Sequence, residues 1–252
     1  MVQIGLLGCG NVGRIVASHQ EGFTVVSIFD KIFDVASEVA TIAHATPYCD
    51  FEAFILGSFE VCVEAASVEA VQTYGCRALE CGKDLVILSV GALADPAFRK
   101  LICDTARAHK RKIHVPSGAI MGLDNLKIGQ ISTLHSVTLR TTKPPSSLGL
   151  TTSTRELLFA GRATECIAHY PKNTNVSIAL ELATDHDVYV ELWVDPAVSQ
   201  NTHEIIASGE FGEVYSKITN LPSPNNPATS YLAALSILAL LKAYDDPLVI
   251  GT

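Results

Sequence analysis

The run Met1–Ala17, MVQIGLLGCGNVGRIVA, constrains this chain more than any other stretch. Residues 2–7 are apolar in the manner of a buried strand, and they lead without a spacer into Gly8-x-Gly10-x-x-Gly13 and then into a helix. Each glycine answers a separate demand of a pyrophosphate cradle. Gly8 lets the chain turn sharply at the strand end, Gly10 lets main chain approach a diphosphate, and Gly13 lets the helix lie close on the sheet. The unpaired N–H groups of the first helical turn, which begins at Asn11 and Val12, then face the anion. A second strand, Thr24–Phe29, ends in Asp30, at the separation expected of a carboxylate that accepts from an adenosine ribose. The bland alternative, a glycine-rich turn before an ordinary helix, leaves the placement of Asp30 unexplained.

Up to about Val115 the chain alternates short apolar runs (VQIGLL, TVVSIF, EVCVEAA, DLVILSV, KIHV) with amphipathic stretches at 11–21, 68–81 and 96–109. Strands apolar on both faces with helices between them predict a parallel sheet wound on both sides, a Rossmann-type α/β domain over residues 1–116. The stretch 34–56 is hard to read and is expected to hold one helix and a short third strand. After Pro116 the pattern changes to alternation in LHSVTLRT, DVYVELWV, HEIIA and EVYSKI, which predicts a smaller α+β domain over 117–222, with an antiparallel sheet covered on one face. Gly209 and Gly212 mark a hairpin turn. Helical segments are expected at 164–169 and 174–183, and residues 223–252 should form a loop and an apolar helix that packs back on the first domain.

Composition narrows the function. A formal net charge of −8 disfavours a nucleic-acid partner, which ordinarily selects a basic stripe. The longest apolar run, 232–241, is too short to span a bilayer. Seven cysteines, an odd number with no C-x-x-C pair, read as small buried residues in a reducing compartment, so a soluble, cytoplasmic protein without a cleaved signal is expected. No histidine or cysteine pattern has metal-ligand spacing.

Six further strings carry more specific information: VEAAS (63–67), LSVGAL (88–93), VPSGAIMGLD (115–124), HYPKNTNVSIAL (169–180), NTHEI (201–205) with GEFGE (209–213), and SPNNPATSYLAALS (223–236). Together they resemble the L-aspartate dehydrogenase family, which is similar in turn to homoserine dehydrogenases. The resemblance implies oxidation of L-aspartate by NAD or NADP to iminoaspartate, which hydrolyses to oxaloacetate and ammonia or enters NAD biosynthesis. It also implies that His203 is catalytic and that Ala119 and Asn175 contact the cofactor.

The residues themselves agree with that chemistry. Oxidising an α-amino acid needs a neutral base beside the amine near pH 7, a role that suits histidine. Of the eight histidines, His203 stands out because it begins a second-domain strand, between Asn201 and Glu204, with apolar positions continuing after it. Asn175 also reads as a helix N-cap, and Ala119 could act only through its backbone. Ala66, Ser67 and Gly91 fall at the carboxyl ends of parallel strands, where open α/β sheets bind ligands. Two substrate carboxylates call for cations. Lys143 ranks first because it ends a strand before the rigid Pro144-Pro145, with Arg140, Arg162 and Lys172 behind it; Asn201 is the second candidate substrate contact. A lysine Schiff base is not expected, since no lysine stands in an obviously apolar context. The alternatives are a related dehydrogenase acting on another small acid and a non-catalytic NAD(H) sensor; a homodimer is expected from the one-faced sheet.

Overall fold

The computed structural model describes residues 1–170, 175–224 and 226–250. Its contacts divide into two compact units, one of Met1–Pro116 with Ala234–Val249 and the other of Ser117–Ala233 with Ile250.

In the first unit the elements run β1 (Val2–Leu7), α1 (Asn11–Ser18), β2 (Phe23–Phe29), α2 (Phe33–Ala43), β3 (Thr46–Tyr48), α3 (Phe51–Ile55), β4 (Val61–Glu64), α4 (Val68–Glu80), β5 (Asp84–Ile87), α5 (Pro96–His109) and β6 (Ile113–His114). The six strands form one parallel sheet in the order β3-β2-β1-β4-β5-β6. The order reverses between β1 and β4, the switch point at which open α/β sheets bind ligands. Local sequence explains the helix starts. Ser67 caps α4 by accepting from the Ala70 N–H at 3.1 Å, and Asp95 caps α5 ahead of Pro96 by accepting from the Ala97 N–H at 2.9 Å. The segment that was hard to read closes one end of the sheet: Phe29, Phe51, Phe54 and Tyr74 pack ring on ring, with centroids 4.1 Å apart for Phe51 and Tyr74.

The second unit contains α6 (Leu123–Leu126), β7 (Leu134–Lys143), α7 (Pro145–Leu148), β8 (Glu156–Arg162), α8 (Ala163–His169), α9 (Asn175–Thr184), β9 (Tyr189–Val194), β10 (Asn201–Gly209), β11 (Gly212–Asn220), β12 (Pro222–Ser223) and β13 (Asn226–Ser230); α10 (Tyr231–Lys242) begins in it and continues into the first unit. Five strands form a sheet in the order β11-β10-β7-β9-β8.

This sheet is mixed, not antiparallel as expected: β7 and β9 run parallel, because the chain leaves β7, forms edge strand β8 and two helices, and returns in the same direction. Alternation reports a one-sided face and carries no information on strand direction. The loop expected at 221–230 holds the short pair β12–β13. Of the hairpin glycines only Gly212 has a left-handed backbone, φ 116°. Gly209 serves close approach instead, since a Cβ there would lie 2.5 Å from the Thr133 carbonyl oxygen. The apolar helix α10 is buried along Ala233, Ala234, Ile237 and Leu241 only; Leu235 is 38% exposed, so the helix is one-faced rather than enclosed. Cys9, Cys62 and Cys166 are buried as expected, whereas Cys49 is exposed, and Cys9 and Cys49 lie in loops.

Candidate functional site

In the first unit the glycine loop has the geometry its spacing predicts. Gly8 sits at φ 101°, where a side chain would be strained, and a Cβ there would lie 2.6 Å from Ala66. A Cβ on Gly13 would run into the Gly8 carbonyl oxygen, so only glycine lets α1 start this close to the strand end. Around Gly10 the space is open, as main chain approaching a diphosphate requires. A cavity of about 380 Å³ lies here, lined by Gly8, Cys9, Gly10, Asp30, Lys31, Ala66, Ser67, Glu69, Thr73 and Tyr74 among others. The Asp30 carboxylate borders it and is held rigidly, accepting from Cys9 N–H at 2.8 Å and Ile32 N–H at 3.0 Å. Cys9 is no nucleophile: burial, then the Asp30 charge, pushes its thiol up to about 12. Asn11 and Val12 open α1, and the Val12 side chain is buried, so only its main chain could meet a ligand. These residues fit a dinucleotide.

Sequence reasoning missed the group that fixes the far side of this cavity. Glu64 ends β4 fully buried, and its carboxylate accepts four hydrogen bonds: from Ala66 N–H at 2.7 Å, Ser89 Oγ–H at 2.8 Å, Ser89 N–H at 2.9 Å and Leu88 N–H at 3.2 Å. Burial pushes its pKa up and the hydrogen bonds to Ser89, Ala66 and Leu88 pull against that. One side chain thus ties together the loops that follow β4 and β5, which hold Ala66, Ser67 and, in a 3₁₀ turn at Val90–Ala94, Gly91. The signal was a charged residue closing a strand, VCVE, that is otherwise apolar on both faces. Glu64→Ala is expected to cost about 3 kcal/mol, since it removes the buried acceptor of four hydrogen bonds, and to weaken cofactor binding. Urea unfolding and a fluorescence titration with NADH would measure both; unchanged values would show that the loops hold themselves.

In the second unit the candidate residues lie on the covered face of the mixed sheet. Strand pairing places Val137, Leu139 and Thr141 of β7 opposite Ala207, Ile205 and His203 of β10, so all six share one face, joined two residues on by Lys143 and two residues back by Asn201. The apolar row Val137, Leu139, Ile205, Ala207 therefore gives way at one end to Thr141, Lys143, His203 and Asn201, polar groups at core-facing positions. Thr141, Lys143 and His203 are all buried. Local rules broken in one place mark a working site more often than a structural one. His203 Nδ1 lies 3.0 Å from Thr141 Oγ1. Burial, then the Lys143 charge, brings the His203 imidazole down to about 3, so it is neutral with a lone pair to offer at physiological pH. Desolvation likewise lowers the Lys143 ammonium, contrary to the expectation that no lysine is buried in such surroundings; it ends a strand that lies between β10 and β9 and pairs with Val194 of β9. Asn201 Oδ1 is buried with no donor among the described residues, and Asn220, opposite it on β11, donates to the Ala119 carbonyl at 3.0 Å and accepts from Ser230 Oγ–H at 2.7 Å.

Comparison with known proteins agrees with both halves. The family described as homoserine dehydrogenase, NAD binding domain, matches residues 5–116, and the family described as aspartate dehydrogenase, C-terminal, matches residues 124–244. L-aspartate dehydrogenase of Methanospirillum hungatei is 61% identical over 252 residues, covering all of both chains. The chain belongs to the L-aspartate dehydrogenase family. The L-aspartate dehydrogenase of Methanothermobacter thermautotrophicus is 40% identical over 100% of this chain and 99% of its own. The crystal structure of aspartate dehydrogenase from Thermotoga maritima superposes with a TM-score of 0.84 at 28% identity over all of both chains. An L-aspartate dehydrogenase is an oxidoreductase, and here its NAD-binding half is the first unit.

For a member of the L-aspartate dehydrogenase family the remaining candidates sort by face. Arg140 is on the opposite face from His203, where its Nε donates to Glu191 at 2.6 Å; Glu191 also accepts from Trp193 Nε1–H at 3.0 Å, and Glu204 accepts from the Tyr215 hydroxyl. Arg140 is thus neutralised by Glu191 on the face away from His203. Arg162 is exposed and 3.5 Å from Asp187. Lys172 and Asn173 lie outside the described residues, as does Thr174 of the helix expected at 174–183; Asn175 opens α9. No helix among the described residues is long and apolar enough to cross a membrane.

Proposed function

We propose that this enzyme oxidises L-aspartate to iminoaspartate with His203 as acid and base, the product hydrolysing to oxaloacetate and ammonia or feeding NAD biosynthesis in the cytoplasm, where the seven free thiols are at home. The observation that carries the reading is the polar end of the covered sheet face: a buried neutral imidazole, a buried ammonium and an unpartnered amide oxygen side by side. Each matches one group of aspartate. Lys143 takes the side-chain carboxylate in surroundings where a charge-assisted hydrogen bond is strong. Asn201 Oδ1 accepts from the α-ammonium. His203 Nε2 removes the ammonium proton so that the nitrogen lone pair can form the imine as hydride leaves Cα, and returns a proton in the reverse direction. The incoming carboxylates oppose the Lys143 charge and so make His203 a stronger base once substrate is bound. The chemistry a bound nicotinamide would supply here is that of a hydride acceptor. Gly8, Gly10, Asn11, Val12 and Gly13 would hold its diphosphate, Asp30 its adenosine ribose, and Ala66, Ser67, Gly91, Ala119 and Asn175 the remainder. Absorbance at the NADH band with aspartate and NAD, and with oxaloacetate, ammonia and NADH, tests the reading; turnover with another small acid in place of aspartate contradicts it.

NAD is the preferred cofactor in this reading, with some use of NADP. The fixed Asp30 carboxylate repels a 2′-phosphate, and the neighbouring exposed Lys31 softens the repulsion. Asp30→Ala should move the ratio of kcat/KM towards NADP by roughly tenfold, one charge contact at a surface site; an unchanged ratio would remove Asp30 from the ribose. A homodimer is the proposed assembly, supported by Leu157, Tyr189 and Tyr215 standing exposed on the other face of the mixed sheet, and sedimentation equilibrium measures it.

A further inference from the structure

Resting on the assignment of His203 as the acid and base, we propose that Thr141 is the positioning residue that sets its tautomer: the Thr141 hydroxyl accepts from Nδ1–H and leaves Nε2 as the basic atom. The two residues are directly paired across β7 and β10, both are buried, and Nδ1 and Oγ1 are 3.0 Å apart. A buried imidazole can present either nitrogen, and the hydrogen bond made by one decides the role of the other. Only with its proton on Nδ1 can His203 accept at Nε2, and once Nε2 is protonated Nδ1 must still have an acceptor. Thr141 supplies that acceptor in both states.

The surroundings explain why the partner is a hydroxyl. A carboxylate at this position would orient the ring equally well, but it would place a negative charge beside the site of a substrate that carries two. The charged group on this face beside the pair is Lys143 on β7. The neighbours on β9 and β11, Leu192 and Ile218, are apolar, and the charged residues Arg140, Glu191 and Glu204 belong to the opposite face. The threonine therefore fixes the ring without adding charge, and the potential offered to the two carboxylates stays positive.

Four variants decide the matter: Thr141→Val, Thr141→Ser, His203→Ala and the double Thr141→Val/His203→Ala. Thr141→Val keeps the shape of the strand and removes the hydroxyl. It should lower kcat about tenfold, the effect of one neutral hydrogen bond lost in the transition state, leave KM for aspartate and Kd for NADH within about twofold of their original values, and move the acid limb of the kcat/KM profile to lower pH. Thr141→Ser should restore most of the rate. In the His203→Ala background the valine should have no further effect, because the hydroxyl acts only through the ring. A valine variant with unchanged kcat, or one whose loss is the same with and without His203, overturns the role of Thr141 while leaving His203 in place. A His203→Ala enzyme that turns over normally overturns the assignment of the base itself, and the positioning role with it.

Discussion

His203→Ala is expected to lower turnover by about 10²- to 10⁴-fold, the range for a lost acid–base group, with Kd for NADH little changed because the glycine loop belongs to the other unit. The direction follows from protonation. A histidine held near 3 by burial and by Lys143 is neutral in the free enzyme throughout the physiological range, so its proton must come from substrate. The same depression has a stability consequence whose sign can be worked out. The unfolded chain protonates this residue near 6.5 and the folded chain near 3, so between those values the unfolded state binds the extra proton. Stability linked to His203 is therefore complete above the ordinary value and is lost as pH falls from about 6.5 towards 3. Urea unfolding at several pH values should show a flatter acid side for His203→Ala than for the wild type. Near-normal kcat with an unchanged acid profile would make His203 a packing residue.

Lys143→Ala should raise KM for aspartate and for oxaloacetate by about tenfold to a hundredfold, since a charge-assisted hydrogen bond contributes roughly 1.5–3 kcal/mol, while Kd for NADH stays nearly constant. Lys143 is 9% exposed and shares its face with His203, so a carboxylate bound there is drawn out of water and meets a weakly screened cation. Lys143→Arg is not expected to rescue, because a buried strand position gives a planar fork no room to turn. With the lysine gone, His203 also loses the charge that helps to depress it, so the acid limb of kcat/KM should shift upward. An unaltered KM would transfer the carboxylate to backbone donors, for Arg140 is held on the other face by Glu191.

What could be read in the sequence was what a single residue type demands of the backbone or of the chemistry. Gly8, Gly10 and Gly13 each meet a constraint that no side chain satisfies, so the cofactor loop was visible in their spacing. Lys143 was singled out for its place at a strand end, yet its burial was not visible, because β7 lies between β9 and β10, strands that come about fifty and sixty residues later in the chain. Glu64 was passed over for the same reason: its four donors come from the loops after two strands, and only their meeting makes the carboxylate a clamp. Strand β8 escaped notice because it is an edge strand in which no residue is fully buried, so it shows no clear alternation. Arg140 shows the value of register most plainly, since one step along β7 separates the face that holds His203 from the face that neutralises the arginine.

L-aspartate carrying deuterium at Cα, incubated with the enzyme and NAD, tests the central claim most directly. Hydride transfer from the substrate carbon predicts that the reduced nicotinamide carries the deuterium by mass spectrometry, with oxaloacetate and ammonia formed in equal amounts. Reduced nicotinamide without the label, or no reduction of NAD with aspartate as sole donor, would contradict it.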